Sequence, residues 1–365
     1  MLVIKIVILI FAALGALDYI IGNRFGVGKE FVNGIMLMGT MLLTMQGMLV
    51  ISPLLADLLE PAFGFVYEVL HLDPSIIPAS FFANDMGGAP LAKEIMVDEK
   101  VGMFNALVVS SMMGCTISFT IPFSLGLVPK EQHRNLLLGL LCGIVTIPVG
   151  CFVGGLVCGI SVPLLLYDLL PLIILAAVIG FGLLKFPNAC VKIFAIFGRF
   201  MTILILLGLA LGVIRFLTGF EVVGGLAPLE EGVAIALNAA VFLAGAFPFV
   251  HVMSRLLRRP LRAFGRLLRV NETSALCLLS SLASATPTFG MMRLMDDKGC
   301  LLNAAFSVSG AFVFAAHLAF TVAYDPSYIP SMVVGKLVGG VLAVFLALFI
   351  GGRLLAKNDA ATAEK

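Results

Sequence analysis

Residues 74–96 read PSIIPASFFANDMGGAPLAKEIM, and residues 272–295 read ETSALCLLSSLASATPTFGMMRLM. Each stretch is apolar enough to lie in a bilayer, yet each is interrupted by Pro, Gly or small polar residues. Freed backbone groups at membrane depth survive only where they face protein or a water-filled cavity. Both stretches are therefore expected to be discontinuous or re-entrant, and function is expected where they break.

The sequence around them is that of an all-α polytopic membrane protein. Of its 365 residues 61% are hydrophobic and only 12% are charged, with a mean hydropathy of +1.12. A soluble domain is roughly half apolar and about a quarter charged, so water is excluded as the solvent for most of this surface. Nine segments have the ~20 mostly apolar residues that a spanning helix needs. They are residues 2–21, 31–54, 101–125, 135–160, 163–185, 193–216, 231–253, 301–323 and 331–352. None alternates with period two, which excludes a transmembrane barrel. Residues 1–21 are too long for a signal-peptide core and end without a small-residue cleavage pattern, so they read as a retained first helix.

A repeat runs through the chain. Asp57-Leu58-Leu59 recurs as Arg255-Leu256-Leu257, and Asp98-Glu99-Lys100 with Asn105-Ala106 recurs as Asp296-Asp297-Lys298 with Asn303-Ala304, at an offset of 198 residues. Ala62-Phe63-Gly64 recurs as Ala263-Phe264-Gly265. The charges give the sense of the repeat. The connection after the second helix carries Asp57, Glu60, Glu68 and Asp73 and no Lys or Arg, whereas its counterpart carries Arg255, Arg258, Arg259, Arg262, Arg266 and Arg269. Lys and Arg collect on the cytoplasmic side, so corresponding loops lie on opposite faces and the two copies are inverted. The expected division is a first repeat over 1–160, a linking helix over 161–190, a second, inverted repeat over 191–355 and a polar cytoplasmic tail over 356–365. The N-terminus is then outside and the C-terminus inside. The arginine run over 258–270 also reads as an interfacial amphipathic helix against lipid.

Inverted repeats with paired discontinuous segments are the signature of a secondary transporter whose substrate sits near the midplane. Asp85 is an ionisable group in a membrane-embedded break, hence a candidate substrate ligand; the alternatives are an ion pair with Lys93 or a helix cap. Asn84 precedes it, and Gly87 and Gly88 allow a turn and close approach of a ligand to the backbone. Glu94 is a further candidate, with a structural pairing as its alternative. The second break offers the hydroxyls of Ser284, Thr286 and Thr288. Asn105 and Asn303 are matched across the repeat, as ligands or as capping and interhelical amides. His317 is a lone imidazole in an apolar helix, a buried structural histidine or a relay. Acceptors around one carboxylate, facing hydroxyls, suit a small amine with a hydroxyl; the same set could hold a sodium ion. The seven cysteines show no CxxC pattern and the four histidines are scattered, so no metal and no cofactor is expected.

Several motifs resemble the ethanolamine permease family of ethanolamine-utilisation operons. They are ANDMGGAPLAKEI (83–95), SMMGCTISFTIPFSLG (111–126), LGLLCGIVTIPVGC (138–151), PTFGMMRLMDDKG (287–299) and GKLVGG (335–340). The resemblance covers nearly the whole chain in motif order. It implies a bacterial inner-membrane protein that assists ethanolamine uptake, with Asp85, Gly87, Gly88, Lys93 and Glu94 matching the first motif. Pro287, Phe289, Gly290, Met291 and Met292 match the second, and His317 matches a His-Leu pair. The chain departs from the family pattern at Ser284-Ala285-Thr286, where the family has paired asparagines, at Ala316 in place of an Asp, and at Asn84 in place of a Cys. These departures bear on substrate specificity.

The expected partners are a small amine of the ethanolamine type and membrane lipid, with no nucleic acid; a homo-oligomer is left open. The competing reading is a secondary transporter of the same architecture for a nucleoside or an amino acid, with cation coupling. Enzymatic chemistry is not expected, because the chain has no HExxH, no paired membrane Asp and no Ser with a base.

Overall fold

The computed structural model describes residues 2–256 and 267–363, and within them the chain is helical with no strand. The arginine-rich helix expected over 258–270 lies largely outside the described residues. In order the helices are α1 Leu2–Ile20, α2 Val27–Leu70, α3 Ile76–Phe81, α4 Gly88–Ile95 and α5 Glu99–Leu127. Next come α6 His133–Val157, α7 Val162–Asp168, α8 Leu170–Lys185, α9 Pro187–Thr218 and α10 Leu229–Leu256. The last five are α11 Glu272–Ala283, α12 Ala285–Met291, α13 Asp297–Gly310, α14 Ala316–Tyr324 and α15 Ile329–Ala363.

Six helices are long and apolar enough to span a membrane among the described residues, and α7 with α8, bent by 42°, would make a seventh. Two expected segments differ from their reading. The second span does not stop near residue 54: α2 runs for 44 residues, about 66 Å at 1.5 Å per residue, so the acidic connection after it is helical. Pro53 and Pro61 sit inside this helix without ending it. The span expected over 301–323 is two helices, α13 and α14, with residues 311–315 non-helical between them. The cause is tertiary. Phe312 N–H donates to the Ser281 carbonyl at 3.0 Å and Phe314 N–H to the Leu282 carbonyl at 2.9 Å, so the chain gives up its own helical bonds to satisfy the free carbonyls at the end of α11.

Helices in lipid gain little from the hydrophobic effect and associate by close packing over small residues. Two groups form this way. In one, α2 packs on α10, α9 and α1; Gly47 of α2 lies against the Ile205 carbonyl of α9, and Gly245 of α10 against the Ile8 carbonyl of α1. In the other, α6, α13 and α15 pack together, and a Cβ on Gly150 would stand 2.7 Å from the Gly335 carbonyl. Helix α5, buried throughout residues 101–118, adjoins the second group and is wound as a π-helix over Asn105–Gly114 and Thr116–Thr120. Such wide turns recur at functional sites.

The two odd stretches are hairpins between these groups. Asp73 pins the ends of the first: its Oδ1 accepts from Ser75 N–H at 3.0 Å, and its Oδ2 accepts from Val97 N–H at 3.0 Å and Asp98 N–H at 2.8 Å. The second closes in the same manner. Asn271 N–H donates to Asp296 Oδ1 at 3.0 Å, and Asn271 Nδ2 donates to the Leu294 carbonyl at 2.9 Å. Each segment therefore returns to the place it left.

Candidate functional site

The tips of the two hairpins meet around one cavity of about 340 Å³, at the small end of the 300–1,000 Å³ typical of small-molecule sites. From the first tip come Ala83, Asp85 and Met86, and from the second Ala283, Ser284 and Thr286. Thr40, Met41 and Thr44 of α2 and Phe247 of α10 form the wall on one side. Cys115 and Phe119 of α5, with Phe312 and His317 beside the α13–α14 break, form the other.

The local sequence explains how Asp85 is presented. After α3 ends at Phe81 the backbone extends at Phe82 and forms a single tight turn over Asn84–Met86. Ser118 Oγ of α5 accepts the Ala83 N–H at 3.1 Å, and the Ala83 carbonyl accepts from Met86 N–H at 3.0 Å and Gly88 N–H at 2.8 Å. Gly87 then takes φ +105, a conformation nearly closed to residues with a Cβ. Its neighbours correct one expectation. A Cβ on Gly87 would stand 1.9 Å from Met48 Cγ, and one on Gly88 2.2 Å from the Phe82 carbonyl oxygen. The glycine pair is needed for close packing of the turn against protein, and neither residue lines the cavity.

Asp85 is half-buried and makes no ion pair within 4.0 Å among the described residues. Lys93, its expected alternative partner, is exposed and lies over the Tyr324 ring at 5.5 Å. His317 is 1% exposed, its ring centroid is 5.2 Å from that of Phe312, and its Nδ1 has no hydrogen-bond partner among the described residues. Ser284 caps α12, its Oγ accepting from Thr286 N–H at 3.3 Å. The cavity thus offers one carboxylate, one imidazole and the hydroxyls of Thr40, Thr44, Ser284 and Thr286 on an otherwise aromatic and apolar wall.

Of the eleven residues singled out in the sequence, Asp85, Ser284, Thr286 and His317 line this cavity. The others do not. Thr288 is buried in a hydroxyl network with Ser281 at 2.8 Å and the Cys277 carbonyl at 3.2 Å. Asn105 donates to Ser75 Oγ at 3.1 Å and Asp168 Oδ1 at 3.2 Å, while Asn303 donates to the Ser274 and Gly299 carbonyls, both at 2.9 Å. Both amides bind the start of a hairpin to the helix that follows it. Glu94 is exposed on α4. Asn84 is fully buried behind the tip, and neither its Oδ1 nor its Nδ2 finds a partner among the described residues.

Lys336 of α15 was legible but missed. It is 1% exposed, its Nζ donates to the Ser111 carbonyl at 2.6 Å, and it acts electrostatically on Asp85. The signal was its isolation: residues 329–350 hold no other charge, and an ionisable residue inside such a stretch is a functional candidate by default.

Comparison with known proteins agrees with the architecture. The model of the family described as "Ethanolamine utilisation protein, EutH" matches residues 2–350. The chain is 43% identical over 319 residues to the "Probable ethanolamine permease EutH" of Listeria monocytogenes, covering 87% of this chain and 86% of that protein. It is 38% identical over 322 residues to the protein of the same name from Escherichia coli K12, covering 82% and 79% respectively. It is 37% identical over 306 residues to "Uncharacterized protein YxeR" of Bacillus subtilis, covering 84% and 83%. No solved structure matches. A family model spanning nearly every residue, with relatives covered over most of their length, leaves one assignment: the chain belongs to the EutH family of ethanolamine utilisation proteins.

Proposed function

We propose that this protein is a permease for ethanolamine in the bacterial cytoplasmic membrane, with Asp85 holding the substrate ammonium. The observation that carries the reading is a carboxylate without an ion-pair partner among the described residues, in a cavity built by two hairpin tips. An ammonium is a donor-only group, and a carboxylate is its strongest acceptor. The hydroxyls of Ser284 and Thr286 and the free nitrogen of His317 are the groups for the substrate hydroxyl. The names of the Listeria and Escherichia relatives support the same substrate.

The reading includes two inverted halves and the nine-span topology with the N-terminus outside. Supporting it, α5 and α13 begin at Glu99 and Asp297, and α1 and α9 end at Ile20 and Thr218, the 198-residue offset again. The contact of Gly47 with α9 has its reciprocal in that of Gly245 with α1, as a two-fold axis exchanging the halves requires. The positive-inside distribution then turns that axis into the membrane plane.

The test is uptake of labelled ethanolamine into vesicles at low concentration and mildly acidic pH, where little free base leaks through lipid. Uptake above protein-free vesicles, lost in Asp85→Ala, is expected. Wild-type uptake no faster than the protein-free control overturns the substrate, and full uptake by Asp85→Ala overturns the role of Asp85. Competition by nucleosides or amino acids, with none by ethanolamine, points to the same architecture carrying a different solute.

A further inference from the structure

A lysine ammonium buried at membrane depth is costly unless something balances it. Among the described residues Lys336 has one hydrogen bond, to the Ser111 carbonyl, although an ammonium carries three N–H donors. No carboxylate oxygen lies within 4.0 Å of it among the described residues. Its position is informative. Ser111 lies one helical turn before Cys115, and Cys115 lines the cavity. The ammonium is therefore fixed just behind the cavity wall, held by the π-wound part of α5. Cys115 and Cys151, Asp85 and His317 are the ionisable groups coupled to it electrostatically, and Asp85 is the one carboxylate among them.

We propose that Lys336 is the resident counter-ion of the cavity, a tethered ammonium that balances Asp85 while no substrate is bound, so that the site needs no co-transported metal cation. The proposal rests on Asp85 being the ligand of the substrate. It answers a problem that reading creates: when the substrate ammonium departs, a bare carboxylate would be left in a low-dielectric cavity, at a cost that would hold the cation in place. A fixed positive charge behind the wall lowers that cost and makes release easier. It also limits what the site accepts. One carboxylate shared between a tethered and an arriving ammonium suits a singly charged amine and disfavours a diamine, whose second charge has no partner there.

A capping role for Lys336 would depend only on Ser111, whereas a counter-ion role depends on Asp85, and a double-mutant cycle separates the two. Thermal unfolding of the purified full-length protein is measured for wild type, Lys336→Met, Asp85→Asn and the double variant. Lys336→Met is expected to lower the melting temperature by leaving Asp85 unbalanced, and the double variant to regain most of that loss. Liposome uptake of ethanolamine by wild type is expected to be equal in sodium chloride and in N-methyl-D-glucamine chloride. A double variant no more stable than Lys336→Met overturns the proposal, as does wild-type uptake that collapses when sodium is withdrawn. If wild type moves no ethanolamine, the proposed function fails, and the unfolding cycle still decides whether Lys336 answers to Asp85.

Discussion

The backbone N–H of Asp98 donates to Oδ2 of Asp73 at 2.8 Å, and this bond joins the two ends of the hairpin whose tip carries Asp85. Asp73 sits at the end of the long acidic helix α2, and Asp98 caps α5 by accepting from Val101 N–H at 2.8 Å. One carboxylate therefore fixes where the chain enters and leaves the site. Replacing Asp73 with Ala frees three backbone N–H groups. Those of Val97 and Asp98 are at exposed residues, where water can take them, while Ser75 is buried, so the expected loss is about 1–2 kcal/mol, the scale of a lost cap. Asp73→Asn keeps one strong acceptor and is expected to lose less. Thermal unfolding gives the order wild type, Asn, Ala, and ethanolamine uptake is expected to fall in the same order as the tip loses its fixed position.

Gly87 sets the tip itself. Its φ of +105 and the 1.9 Å approach of an added Cβ to Met48 Cγ are separate obstacles, one of backbone conformation and one of space. Gly87→Ala is expected to cost more than the ~1 kcal/mol of left-handed strain alone. Met48→Ala placed beside it is expected to relieve the clash and leave the strain. A double variant as unstable as Gly87→Ala would show that backbone conformation alone decides this position.

The membrane class and the two hairpins could be read from the sequence because their signals are local. Long apolar runs give helices, and Asn84-Asp85-Met86-Gly87-Gly88 and Ser284-Ala285-Thr286-Pro287 interrupt them. The break at 311–315 was not legible. Ala311-Phe312-Val313-Phe314-Ala315 contains no Gly or Pro, and its helix is lost only because the carbonyls of Ser281 and Leu282 wait beside it. The site divides in the same way. Asp85, Ser284 and Thr286 were marked by chemistry inside a break and His317 as a lone imidazole in an apolar helix, whereas Thr40, Thr44, Phe119 and Phe247 reach the cavity from ordinary helices that packing alone brings there. Asn105 and Asn303, read as ligands or as capping and interhelical amides, each find part of what a buried amide needs in the neighbouring hairpin.

Two hydroxyls four residues apart have different tasks. Thr288 is fully buried, bonded to Ser281 and to the Cys277 carbonyl, while Ser284 lines the cavity and caps α12. Thr288→Val is expected to lower stability by about 1–3 kcal/mol, since it strands buried polar partners, and to leave the KM for ethanolamine unchanged. Ser284→Ala is expected to raise KM, with a stability loss of about 1 kcal/mol for the cap. Uptake kinetics and thermal unfolding measured on the same two variants check the separation, and equal KM values would remove Ser284 from the substrate.

Asp168 presents a buried carboxyl far from any such task. It is 2% exposed; its Oδ1 accepts from Asn105 Nδ2 at 3.2 Å, and among the described residues its Oδ2 has no donor, nor has Oδ1 of Asn105. Two acceptors are thus left without donors around one amide–carboxyl pair, and an N–H₂ in place of Asp168 Oδ2 would remove one and donate to the other. Asp168→Asn supplies it at nearly constant shape and removes a buried charge. It is expected to raise stability by about 1 kcal/mol and to leave uptake unchanged. Asp168→Ala takes away the acceptor of Asn105 and opens a cavity, so its melting temperature is expected to fall. If Asp168→Asn were instead the less stable of the two, the carboxyl would have to be serving as an anion, and the bend between α7 and α8 would need a cation to hold it.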